Sequence, residues 1–180
     1  RAKYILAGLD SGEVLLVHLG MTGRFTVFSG SGARNLGEFY FETAAGEAGE
    51  GTHDHVVFTL EDGTRVVYTD PRRFGIMDLF TDVEMPAHKL LAGIGVEPLG
   101  NEFSDGYLAE HFRDKAAPLK AALLDQHIIA GLGNIYVCEA LHRAGLSPRR
   151  KALTLVRKKG IDPRLTELAR HIREVLAEAI

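Results

Sequence analysis

Near position 82 the apolar spacing of this chain changes from the period of strands to that of helices, which commits it to a two-part fold. Upstream, residues 3–9, 13–19, 23–28, 37–42, 55–60 and 64–69 are short runs rich in β-branched and aromatic side chains, separated by turn residues, and they predict strands. Asp10-Ser11-Gly12 and Glu61-Asp62-Gly63 read as hairpin turns, with glycine supplying the positive φ. Residues 43–52, rich in Ala, Gly and Glu, read as a surface loop. Downstream, residues 86–91, 105–113, 118–125, 134–144 and 164–180 carry helical spacing and capping residues. Gly93, Gly95, Pro98 and Gly100 interrupt both periods. The expected organisation is a strand domain over 1–85, a connection over 86–100 and a helical domain over 101–180. The fold class is therefore α+β, antiparallel sheet first and helices second.

Composition narrows the function classes. The chain has 180 residues, 46% hydrophobic and 25% charged, enough for a packed core, and no apolar stretch approaches the ~20 residues of a membrane span. Its single cysteine, Cys138, cannot close an internal disulfide or build a CxxC zinc site, which fits a reducing, cytoplasmic setting. The net charge of −3 is unevenly spread. Residues 1–82 carry 7 Lys+Arg against 12 Asp+Glu, net −5, and residues 83–180 carry 14 against 12, net +2, so any basic surface is local. The chain opens in strand-like sequence without a leader and closes within a helical period, so truncation at both ends is expected.

Several short motifs bear on chemistry. His18-Leu19-Gly20-Met21-Thr22-Gly23 ends a strand in a glycine-flanked turn, where Met21 is either a core filler or an exposed wedge. In Asp70-Pro71-Arg72-Arg73-Phe74-Gly75 the proline breaks the ladder and projects two guanidinium groups beside an aromatic ring. Such a tip suits nucleic acid, since guanidinium forks read phosphate or base edges and a ring can enter a base step; the alternative is a solvated turn with Phe74 in the core. The loop from Gln126 to Asn134 presents the start of a helix, an anion site by its free amides, with Asn134 a ligand contact or simply the N-cap. His53-Asp54-His55 has a metal-like spacing, but it lacks a third ligand nearby in sequence and reads better as surface histidines entering a strand. Arg149-Arg150-Lys151 and Arg157-Lys158-Lys159 read as solvated charge runs with nonspecific phosphate attraction.

Taken in order, RAKY, HLGMTG, HDH, DPRRFG and GLGNIY followed by Glu139 resemble the formamidopyrimidine-DNA glycosylase family over essentially the whole chain. The resemblance implies a β-sandwich joined to a helix-two-turn-helix domain, with duplex DNA bearing oxidised purines as the partner of a monomeric enzyme. It implies that Lys3, His18 and Asn134 grip phosphates around the lesion, with Lys3 also a catalytic accessory. It implies further that Met21 fills the hole left by the extruded base, Arg72 bonds the orphaned cytosine and Phe74 wedges into the stack. In the family an amino-terminal proline, followed by glutamate, is the nucleophile of a glycosylase that is also an abasic-site lyase, and a four-cysteine zinc finger closes the protein. Neither feature is among these residues, so this polypeptide alone is expected to be inactive and to hold no zinc of its own. Two other readings are a noncatalytic damaged-DNA-binding module and an endonuclease VIII-type enzyme for oxidised pyrimidines; DPRRFG with Met21 favours the purine branch.

Overall fold

Burial alternates along residues 13–16, with Val14 and Leu16 inside and Glu13 and Leu15 less so, and Val17 is buried as well, so this strand rests on a core. The computed structural model describes residues 2–30, 32–36 and 51–179. Their strands are β1 (Ile5–Gly8), β2 (Glu13–His18), β3 (Arg24–Ser29), β4 (Gly32–Leu36), β5 (Asp54–Thr59), β6 (Arg65–Thr69) and β7 (Ile76–Thr81). They form two antiparallel sheets, β1-β2-β7 and β4-β3-β6-β5, the sandwich expected. Gly12 and Gly63 adopt φ of +83° and +81° in the two hairpin turns. The strand expected over 37–42 lies outside the described residues, as does most of the loop expected over 43–52.

The topology places two chain crossings side by side. The segment after β2 leaves the first sheet for β3 in the second, and the segment after β6 returns from the second sheet to β7 in the first. His18 is paired with Ile76 and Arg24 with Thr69, so both ends of both crossings are neighbours through strand register. Strand β7 was not expected from the sequence. Its six-residue pairing with β2 imposes the strand on a segment without a β-branched run.

The strand unit comprises Tyr4–Val83; Glu84 onward, with Ala2 and Lys3, forms a second, helical unit. Its helices are α1 (Asp105–Phe112), α2 (Leu119–Leu124), α3 (Asn134–Arg143) and α4 (Pro163–Ala177). Ser104 caps α1 by accepting from the Tyr107 amide, and Asp162 caps α4 by accepting from the Arg164 amide with proline in the first turn. Phe103, Leu108, Phe112, Leu123, Val137 and Ile172 lie in one apolar core joining all four helices. Helices α2 and α3, with the double turn between them, form the expected helix-two-turn-helix. Among the described residues no helix is long and apolar enough to cross a membrane.

Three expectations differ from the structure. The helix over 86–91 is instead a 3-10 helix over Asp82–Ala87, with Pro86 inside it removing an amide donor. Residues 86–100 are not a free connection: the Gly95 amide donates to Gln126 and the Ala130 amide to Val96, so this stretch packs within the helical unit. Ala2 and Lys3 do not begin β1. They join the helical unit, where the Ala2 amide donates to Glu97 Oε1 at 2.9 Å.

Candidate nucleic-acid interface

In the strand unit the two crossings are clasped by one carboxylate. Asp70 is 1% exposed and accepts from Thr22 Oγ1 at 2.5 Å, from the Gly75 amide at 2.8 Å and from Tyr68 Oη at 3.2 Å. The Thr22 hydroxyl also accepts from the Arg72 amide at 3.3 Å, so the first turn is tied to the second at two points. Burial opposes the Asp70 charge, but the hydrogen bonds from Thr22, Gly75 and Tyr68 outweigh it and hold the carboxyl below its ordinary range. Burial and the facing carboxylate push the Tyr68 phenol up to about 12, which keeps it a proton donor. Two glycines permit the approach: a side chain on Gly20, at φ +66°, would meet the Phe74 carbonyl carbon at 2.6 Å, and one on Gly75 would meet Tyr68 Oη at 1.7 Å.

What the clasp presents is apolar and cationic. Met21 is 70% exposed and Phe74 55% exposed, so neither fills the core and that alternative falls. The Arg72 guanidinium lies 4.7 Å above the Phe74 ring, a cation–π contact that holds both on one tip. Arg73, at φ +57°, takes the left-handed conformation that completes the turn. His18 stands at the root of the first crossing, half-buried against Tyr4 with ring centroids 5.1 Å apart. Its Nδ1 accepts from the Gly20 amide at 3.1 Å, which puts the proton of the neutral ring on Nε2.

The HDH motif braces this tip. The His53 carbonyl accepts from the Asp70 amide, His55 Nε2 lies 2.9 Å from the Asp70 carbonyl oxygen, and Asp54 accepts from Thr69 Oγ1 at 2.6 Å. His55 also lines a cleft of about 350 Å³ with Val56, Tyr68, Asp70, Arg73 and Met77. The sequence reading missed Asp70, Thr22 and Tyr68; the available signal was an aspartate just before a Pro-containing turn, a residue that commonly accepts from the turn's own amides.

In the helical unit Lys3 lies beside Gly133, the residue before Asn134. A side chain on Gly133 would lie 3.3 Å from Lys3 Nζ, so the glycine leaves room for the ammonium at the start of α3. The cap position is Gly133, without a side-chain cap, and Asn134 is the first helical residue, exposed rather than capping. The double turn is pinned by Gln126, which donates to the carbonyls of Leu124 and Leu132 and accepts from the Gly131 amide. A cation beside uncapped helix amides repels in the absence of an anion and converges on one in its presence. The arm that delivers Lys3 holds Ala2 and Lys3 at φ +51° and +66°, conformations unfavourable for side-chain-bearing residues.

Among the described residues no group of three or more His, Cys, Asp or Glu could hold a metal ion, and Cys138 is exposed on α3.

The N-terminal domain of formamidopyrimidine-DNA glycosylase matches residues 1–77, and the H2TH domain of the same proteins matches residues 94–180. A formamidopyrimidine-DNA glycosylase of Methylocella silvestris is 54% identical over 181 residues, covering 100% of this chain and 60% of the relative. A complex between the Lactococcus lactis Fpg and an abasic site containing DNA superposes with a TM-score of 0.80 at 28% identity, covering 100% of this chain and 58% of that one. MutM in complex with carbocyclic 8-oxo-G containing DNA gives 0.81 at 29% identity, covering 100% and 59%. The chain spans about three fifths of the length of the curated relatives it matches. With both domains matched in order along one polypeptide, the chain belongs to the formamidopyrimidine-DNA glycosylase family.

Proposed function

We propose that this chain is the DNA-binding core of a base-excision repair enzyme, a glycosylase and abasic-site lyase that extrudes oxidised purines such as 8-oxoguanine and formamidopyrimidines from duplex DNA. The observation that carries the reading is the clasped pair of turns with Met21, Arg72 and Phe74 at its tip. Extruding a base costs a few kcal/mol of stacking and pairing, and an apolar filler, a hydrogen-bonding cation and an aromatic wedge are the groups that replace the lost contacts. Lys3, His18 and Asn134 are assigned to the phosphates around the extruded nucleotide, an ammonium, an imidazole N–H and an amide each being a donor to an anionic oxygen. Related proteins bound to abasic-site and 8-oxo-G DNA support the choice of ligand.

Mechanistically, these residues bind and distort. They carry no bond-breaking step, which the family assigns to a proline amine and its glutamate. A polypeptide of these residues is therefore proposed to recognise damage without releasing a base. The test is direct: the purified chain should bind a duplex with an abasic-site analogue opposite cytosine at least about tenfold more tightly than the undamaged duplex, a difference of ~1.4 kcal/mol. Equal affinities would overturn the recognition reading. Borohydride trapping of a covalent adduct with 8-oxoguanine DNA would overturn the proposed inactivity.

Arg72→Ala should reduce the preference for cytosine opposite the lesion by about 1 to 3 kcal/mol, measured by competition among duplexes that differ only in the opposing base. Undiminished discrimination would remove Arg72 from the role of base reader. Lys3→Ala should instead weaken binding to every duplex and lower the salt slope by about 1. A slope equal to the parent's would show that Lys3 contacts no phosphate.

A further inference from the structure

The cations of the helical unit are mostly consumed by partners. Arg143 is bound by Glu139 and Glu178, Arg157 and Arg164 by Asp162, Arg170 by Glu167 and Glu174, and Arg173 by the carbonyls of Gly100 and Phe103. Apart from Lys3, Lys158 and Lys159, the departures from this pattern fall in one region. Residues 113–120 and 148–153 run beside each other, joined by hydrogen bonds from the amides of Leu119, Lys120, Ala152 and Leu153 to the carbonyls of Arg150, Pro148, Ala117 and Lys115. Pro118 and Lys151 form an antiparallel bridge within this seam. The zipper brings together Arg113, Lys115, Lys120, Arg149, Arg150 and Lys151, with Asp114 the one carboxylate in the two segments.

Lys115 is engaged by Asp125 at 2.7 Å, and Arg150 reaches the Thr154 hydroxyl. Among the described residues Arg113, Lys120, Arg149 and Lys151 have no carboxylate partner. No large apolar side chain of either segment is exposed. A protein interface needs a desolvated apolar centre, whereas a polyanion with regular charge needs only cations, so the ridge fits a phosphate backbone.

Its position argues for a separate duplex. Arg149 and Lys151 follow the C-terminal end of α3 in the chain, and the 10 residues of that helix carry its end about 15 Å from Asn134. Helix amides aim along the axis at the anion they bind, so the opposite end of α3 points away from the lesion phosphate. We propose that the ridge of Lys120, Arg149 and Lys151 binds the backbone of a second, undamaged duplex while the start of α3 holds the damaged one. This rests on the proposed function only for the damaged strand's place, and the tests separate the two.

The 180-residue chain, loaded on an immobilised short duplex with an abasic-site analogue, should capture a labelled undamaged duplex in a salt-sensitive manner. Arg149→Glu with Lys151→Glu should abolish capture while leaving affinity for the short abasic duplex within about twofold. In direct titration of undamaged duplex the same variant should lose about 2 in salt slope. Absence of capture by the parent chain would overturn the proposal. So would gain of affinity from longer flanks on the abasic duplex that the variant alone loses, which would place the ridge on the same duplex. Capture of polyglutamate in place of DNA would assign it to an acidic protein. Failure of abasic-site preference with the slope change intact would sink the proposed function and leave a lesion-independent DNA surface standing.

Discussion

Asp70→Ala is expected to destabilise the strand unit by about 3 kcal/mol, because three donors that meet a buried carboxylate lose their acceptor together. The effect should exceed that of any other single change at the tip, since Asp70 accepts three hydrogen bonds, from Thr22 in the first crossing, from Gly75 in the second and from Tyr68. Asp70→Asn should fall between, keeping one acceptor oxygen but not the charge. The pH dependence separates charge from shape. Hydrogen bonds hold the folded carboxyl below its ordinary 3.8, so its contribution is present in full above that value and is lost as pH falls through the lowered folded one. The stability gap between parent and Asp70→Asn should therefore be constant near neutrality and close in acid. Tyr68 acts oppositely. With its phenol raised from 10 to about 12, it adds stability below pH 10 that is lost as pH rises through 12. Denaturant unfolding of the parent, Asp70→Asn and Tyr68→Phe across pH measures all three, and a gap that persists unchanged in acid would assign the clasp to packing rather than charge.

Lesion recognition should fail with the clasp. If Asp70 positions the tip, its alanine variant loses the preference for abasic-site DNA even at temperatures where it remains folded, and the loss should equal that of the tip residues removed together. A folded Asp70→Ala protein with undiminished preference would show that the crossings hold their relation without it.

How much of this could be read in the sequence follows from which forces are local. The hairpins at Gly12 and Gly63, the Ser104 and Asp162 regions as helix starts, and the change of period near 82 depend on chemistry within a few residues, and they are legible. Strand β7 was not, because its conformation comes from pairing with β2 across some sixty positions of chain. Lys3 looked like the start of a strand because RAKYIL is extended in character. Its place beside Gly133 depends on Glu97 holding Ala2, a contact 95 residues away in sequence. Asn134 read as a cap by residue type, yet Gly133 occupies the cap and leaves the asparagine side chain outside. The HDH motif was visible as histidines entering a strand, but its backbone and imidazole bonds to Asp70 depend on β5 pairing with β6. Site residues thus showed as types, while the residues that aim them, Asp70, Thr22, Tyr68 and Gln126, have ordinary identities and act through distant partners.

The remaining large effect isolates presentation from support. Met21→Ala combined with Phe74→Ala should leave folding stability within about 0.5 kcal/mol of the parent, because both side chains are exposed and neither belongs to the core. The same pair should remove about 2 to 3 kcal/mol of preference for abasic-site over undamaged duplex, the scale of one lost stacking platform and one lost filler. Phe74 also carries the Arg72 guanidinium, so its removal should loosen cytosine discrimination as well. Met21→Ala alone leaves that contact in place and should spare it. The readouts are thermal unfolding and equilibrium competition between damaged and undamaged duplexes. A double variant that unfolds earlier by several kcal/mol would mean that these side chains support the sheets; one that folds normally and retains full preference would mean that the tip meets no base stack. Asp70→Ala and the double variant should differ in stability and coincide in binding, which is the combination expected when a buried carboxylate serves to aim side chains that themselves hold nothing up.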